Sequence, residues 1–155
     1  MERIKMVCIG AFTALSAWLG ILAIPMYLLV VVNVIDYGTG LAAAKYRNQK
    51  INSAIGFHGI AKKVCMWLLV GVGVIVDVLL MYAAEQVGIV LNFGYAVGSL
   101  AAVWLICNEL ISVLENVADI DVKLPPFLMQ IIHSLKGQVE SQAEDALLAE
   151  QEKKE

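Results

Sequence analysis

Three acidic side chains stand where the sequence otherwise calls for hydrocarbon. Asp36 interrupts "VVVNVIDYGTG", Asp77 closes "GVIVD", and Glu109 follows "VWLICN". On insertion scales an acid at the centre of a membrane span is unfavourable by about 2.5–3.5 kcal/mol, so such residues normally face a bundle interior or a cavity. No Lys or Arg falls inside the apolar runs around Asp36 and Asp77. Each is therefore expected to be protonated, hydrated or hydrogen-bonded, with Asn33, Tyr37, Tyr82 and Asn108 as available partners. Two roles fit: a polar contact between subunits that later lines water, or a buried hydrogen bond that fixes helix packing. For Asp77 the packing role is the simpler one.

Around Glu109 the polar pattern is denser. Asn108, Ser112, Glu115 and Asp119 recur at i, i+4, i+7 and i+11, with Glu109 and Asn116 on adjoining faces. That helix is amphipathic over its second half. Glu115 and the residues after it suit a helix emerging among lipid headgroups, whereas Asn108, Glu109 and Ser112 lie deeper. These three join Asp36 and Asp77 as candidates for assembly or for lining a polar path. Small residues supply a second theme: Gly38 and Gly40, Gly71 and Gly73, and Gly94 and Gly98 in "GYAVG". Small residues let membrane helices approach closely, so Gly38, Gly40, Gly94 and Gly98 are helix-packing candidates.

Other chemistry finds no support. There is no glycine-rich phosphate loop, nucleophile elbow or zinc-type His motif, and His58 and His133 are isolated. Cys8, Cys65 and Cys107 all lie in apolar stretches, odd in number and without metal-ligand spacing. They read as small apolar packing residues. No catalytic residue, cofactor site or metal site is expected.

The elements that must position these groups are membrane helices. Of 155 residues 60% are hydrophobic and 16% charged, with a mean hydropathy of +0.77, against about 45–50% and about 25% in soluble domains. A span needs about 20 mainly apolar residues. The run from Met6 to Ala44 is nearly twice that and divides near Gly20 to Pro25, with Trp18 and Tyr27 as interface anchors. Spans are expected at about 6–24, 26–44, 64–84 and 93–114. A signal-peptide reading of "MERIKMVCIGAFTALSA" would leave three spans and an external N-terminus.

Charge is segregated along the chain. Lys45, Arg47, Lys50, Lys62 and Lys63 occupy residues 45–63 without an acid, whereas nine acids face four lysines from Glu115 onward. The positive-inside rule places the basic loop in the cytoplasm, and four spans would put both termini there. After the last span Pro125 and Pro126 stop one helix and suit the first turn of another. Phe127, Leu128, Ile131, Ile132 and Leu135 then fall on one helical face, suited to a membrane surface or a neighbouring subunit. An acidic, partly helical tail follows. The expected architecture is thus an all-α integral membrane protein: three to four transmembrane helices within 1–124, then a short amphipathic helix and acidic tail within 125–155.

Three blocks of this chain resemble the phage-lysis and toxin-secretion holins, the clostridial toxin-export type included. They are "DYGTGLAAAKYRNQKINSAIGFHGIAKKV", the Asp of "VIVD", and "NELISVLENVADIDVKLPPFL". The resemblance implies a non-enzymatic protein of the bacterial cytoplasmic membrane, the host's if phage-encoded. It would self-associate and open lesions for an endolysin or a large toxin. On the matching positions it implies assembly or lesion lining for Asp36 and Glu109. For Lys45, Arg47, Lys62 and Lys63 it implies topology and anionic-lipid contact, and Lys50 sits in the same basic stretch. Expected partners are further copies of the chain and membrane lipids, with endolysin or toxin as released cargo, and no nucleic acid. A small ion or solute channel and a non-conducting scaffold are the competing classes.

Overall fold

The computed structural model describes residues 2–49, 53–91 and 94–152; at 15, 18, 54, 55 and 146–152 it describes the backbone alone. Five helices follow one another: α1 (Glu2–Leu19), α2 (Ala23–Tyr46), α3 (Ser53–Gln86), α4 (Ala96–Asp119) and α5 (Pro126–Glu152), with no strand among the described residues. The all-α architecture is as expected. α4 is the central element, packed against α2, α3 and α5.

The long apolar run breaks in the expected place. A 3-10 turn at Gly20–Leu22 separates α1 from α2, and Gly20 takes a φ of +54°, a conformation glycine adopts without steric cost. Pro25 sits in the first turn of α2, where its missing N–H leaves no bond unmade. The first expected span, 6–24, is divided between α1, the 3-10 turn and the start of α2. Among the described residues three helical stretches are long and apolar enough to cross a membrane, Gly20–Tyr46, Gly56–Gln86 and Ala96–Asp119, and α1 is not one of them. Glu2, Arg3 and Lys5 take up the start of α1. The apolar remainder, Met6 to Leu19, is roughly 21 Å long at 1.5 Å per residue, short of the ~30 Å hydrocarbon core. α1 folds back on α2 through a stack of Phe12 on Tyr27, centroids 4.8 Å apart, and a 2.7 Å hydrogen bond between Ser16 Oγ and Tyr27 Oη.

The buried core is thin for a chain of this length: Leu22, Leu29, Met66, Val70, Ala102 and Leu105. Many of the large apolar side chains point outward instead, among them Val34, Leu68, Ile75 and Leu79. A water-soluble monomer rarely exposes so continuous an apolar surface; a bundle bathed in lipid does so by default.

Two expected boundaries move. The basic loop 45–63 is only a short connection, because α3 begins at Ser53 and carries Lys62 and Lys63 well inside a helix. Gly56 and Gly59 are not loop glycines. A Cβ added to either would come within 3.4 Å of the Tyr37 ring or hydroxyl, so they make the flat seat on which Tyr37 of α2 rests. At the other end the amphipathic helix and acidic tail are one continuous helix, α5. Leu128 and Ile132 are partly covered, while Phe127, Ile131 and Leu135 of the same expected face remain exposed.

Candidate functional site

The helix order brings three charged side chains to one level. Asp36 lies ten residues before the end of α2 (46 − 36), Lys63 ten residues after the start of α3 (63 − 53), and Glu109 ten residues before the end of α4 (119 − 109). Each is thus ~15 Å from that end of its helix at 1.5 Å per residue. The Lys63 ammonium donates to Asp36 Oδ2 at 2.6 Å and to Glu109 Oε2. All three side chains are largely enclosed: 12% of Lys63, 13% of Asp36 and 1% of Glu109 is exposed. Lys62, largely exposed, approaches Glu109 Oε1 at 4.0 Å. Two cations therefore face two carboxylates, and the cluster is neutral with every group ionised.

A polar relay extends the centre along the α2–α4 seam. Asn116 Nδ2 donates to Asp36 Oδ1 at 3.2 Å and to Thr39 Oγ1 at 3.4 Å, and the Thr39 hydroxyl donates to the Asp36 carbonyl at 3.1 Å. Ser112 adjoins the Asp36 carboxylate. Farther out, the Tyr46 hydroxyl donates to Asp121, and Arg47 Nη1 bonds Asp119 Oδ2 at 2.6 Å. Buried carboxylates are tolerable only when charge and lone pairs are both met, and this seam meets both.

The expectation that no cation serves Asp36 is corrected by Lys63. A lysine stem is apolar along most of its length and can carry its charge inward beside a helix. Asn33, expected as an Asp36 partner, is buried with neither amide atom bonded, and Tyr82 points outward. Asn108 is half-buried and makes no side-chain hydrogen bond among the described residues. Lys45 is exposed, Arg47 is tied to Asp119, and Lys50 lies outside the described residues.

Asp77 belongs to a different construction. Fully buried on α3, it accepts from Val97 N at 2.9 Å and Gly98 N at 2.8 Å. These are first-turn amides of α4, which have no carbonyl partner within their own helix. No side chain of α4's own cap position bonds them. A carboxylate from the neighbouring helix therefore caps α4, and the positive end of the helix dipole offsets its charge. Gly73 and Gly98 make this reach possible: a Cβ on Gly73 would stand 2.8 Å from Gly98 Cα. Gly40 packs beside Asn116, and Gly38 faces open space. Gly94 precedes α4 with a φ of +57°, so it forms a turn, and "GYAVG" does not lie on one helix face. Of the cysteines, Cys107 is buried, whereas Cys8 and Cys65 are exposed.

The model that describes the bacteriophage holin family matches residues 13–137, which include the ionic centre, the α4 cap and the Leu-Pro-Pro turn. The chain belongs to the bacteriophage holin family. The match leaves out most of α1 and the end of α5. Relatives include an uncharacterized protein of Halalkalibacterium halodurans, 37% identical over 124 residues, 80% of this chain and 87% of the relative. An uncharacterized protein of Listeria innocua is 32% identical over 133 residues, 85% and 86% of the two chains. One from Clostridium perfringens is 32% identical over 124 residues, 79% and 84%. No solved structure matches the chain. Family membership and three apolar helices make this holin-family chain a multi-pass membrane protein.

Proposed function

We propose that the chain acts as a holin in the bacterial cytoplasmic membrane. Copies self-associate and, at a set time, open lesions that let an endolysin reach the wall or a large toxin leave. The observation that carries this reading is the Asp36–Lys63–Glu109 centre, balanced in charge by Lys62, within a family of holins. Three helices are joined at one level by charges that only water or each other can satisfy. Such a centre is stable in lipid while closed. Once the helices separate it requires a hydrated surface, so assembly into a water-lined lesion is the state that can accept it. Lys45 and Lys62, both exposed, fit contact with anionic lipid, where each basic residue contributes about 1 kcal/mol. No step requires catalysis or a cofactor.

Inducible expression in a bacterium tests the reading, with membrane potential and release of a folded cytoplasmic reporter enzyme followed together. Abrupt escape of the reporter is the expected result. Ion flux without escape would make the chain a small oligomeric channel, and neither would make it a membrane scaffold.

A further inference from the structure

α5 runs back along a helix that spans the membrane. Trp104 Nε1 of α4 donates to Glu140 Oε1 at 2.7 Å, the Lys136 ammonium stands 4.9 Å from the centre of the Trp104 ring, and Val139 is buried. Val139, Glu140, Ala143 and Glu144 line a groove of about 900 Å³ with Leu100 and Ala101 of α4 and Val72 of α3. Trp104 is fifteen residues from the end of α4 (119 − 104), so α5 reaches the middle of the span and beyond.

The outward side of this stretch is polar. Gln138, Ser141, Gln142 and Asp145 are exposed there, Glu140 and Glu144 are exposed at the edge of the groove, and from 138 to 145 the apolar residues are Val139 and Ala143, which face the bundle. Lys136 offsets Glu140 at 3.9 Å. Among the described residues no salt bridge reaches Glu144 or Asp145. A charged face of this kind is strongly unfavourable against hydrocarbon, and the groove beneath it is apolar. Docked α5 and a surrounding bilayer therefore exclude each other, whereas docked α5 facing water satisfies both of its sides.

The connection can act as a hinge. Asp121 holds a φ of +62°, and Pro125 and Pro126 follow it. On the α4 side the hinge is tethered to α2 through Tyr46–Asp121 and Arg47–Asp119. Motion of α5 is thus separable from the ionic centre.

We propose that α5 docked on α4 is the open form of the protein, its polar face forming a wall of the water-filled lesion. In the closed, lipid-embedded form α5 lies off α4 at the membrane surface. The proposal rests on the lesion-forming reading above.

The test uses the full chain with its native cysteines replaced and Ala101→Cys and Ala143→Cys introduced. A short bifunctional thiol reagent is applied to cells before and after the membrane potential collapses. Cross-linking should be minor before collapse and rise several-fold at opening. Equal yield before and after, or none after, would overturn the proposal. A second arm is independent of release. A spin label at Ser141→Cys in purified full chain, cross-linked and placed in phosphatidylglycerol–phosphatidylethanolamine vesicles, should be reached by a water-soluble relaxant and not by lipid-dissolved oxygen. A lipid-exposed label sinks the proposal. A water-exposed label in a chain that releases no reporter would retain the docking and reject the lesion reading.

Discussion

Lys63 of α3 and Asp36 of α2 are 27 residues apart in the chain and 2.6 Å apart in space. The same ammonium also serves Glu109, so its removal strands Asp36 and leaves Glu109 only the exposed Lys62 at 4.0 Å. Breaking a buried ion pair from one side costs about 3–5 kcal/mol. Lys63→Met should therefore lower accumulation in the membrane and unfold earlier in detergent. Adding Asp36→Asn and Glu109→Gln to it should restore much of the loss. Immunoblots of membrane fractions and thermal unfolding check both; a single variant as stable as the parent would show that Lys63 does not neutralise the centre.

Asp36 answers differently. Asp36→Leu leaves Lys63 and Glu109 as a matched pair, so insertion and accumulation should persist. The contacts to Lys63 and Asn116 are lost, and opening should come at an altered time or not at all. Asp36→Asn keeps a hydrogen-bonding group without charge and should fall between. Lysis curves at matched expression decide it: the parental schedule in both variants would reduce Asp36 to packing.

Asp77→Ala should destabilise the bundle without shifting charge balance at the Lys63 centre. The buried Gly98 N and the part-buried Val97 N would lose their acceptor, at about 1–3 kcal/mol for the buried one. Asp77→Asn retains one acceptor oxygen and should lose less. Thermal unfolding of the purified proteins gives the order directly.

Gly73 and Gly38 form a matched pair of tests. A methyl at Gly73 meets α4 backbone at 2.8 Å, whereas one at Gly38 meets nothing within 4 Å. Overpacking typically costs about 1–3 kcal/mol, so Gly73→Ala should destabilise while Gly38→Ala stays near the parent. Equal effects would mean that the α3–α4 approach is not close.

The connection between α2 and α3 should face the cytoplasm, since the stretch around it carries Lys45, Arg47, Lys50, Lys62 and Lys63 and no acid. In a cysteine-free background, Ser53→Cys should stay unlabelled by an impermeant thiol reagent in intact cells until lesions open. Labelling before that point would reverse the topology.

Composition and apolar run length made the helices legible, and the break at Gly20 followed from the length of the run it divides. The sequence did not show that residues 6–24 would be shared between α1, a 3-10 turn and α2, because the apolar run has no polar residue at the turn. The acids of the site were visible one by one, yet their partner was not. Lys63 reads as loop charge until α3 is known to start at Ser53, ten residues earlier. A signal did exist for the inward face of α4: Glu109, Ser112 and Asn116 stand at i, i+3 and i+7, one helical stripe. The cap at Asp77 left no such trace, because its donors are backbone amides and carry no side-chain signature.

That cap has a consequence for biogenesis. Asp77 leaves the ribosome twenty residues before Val97, so it reaches the bilayer as a lone acid whose acceptors await their donors. The first turn of α4, in turn, completes its hydrogen bonds only when it lies beside α3. Neither helix is a finished membrane segment by itself, and the two must leave the insertion machinery together as one hairpin.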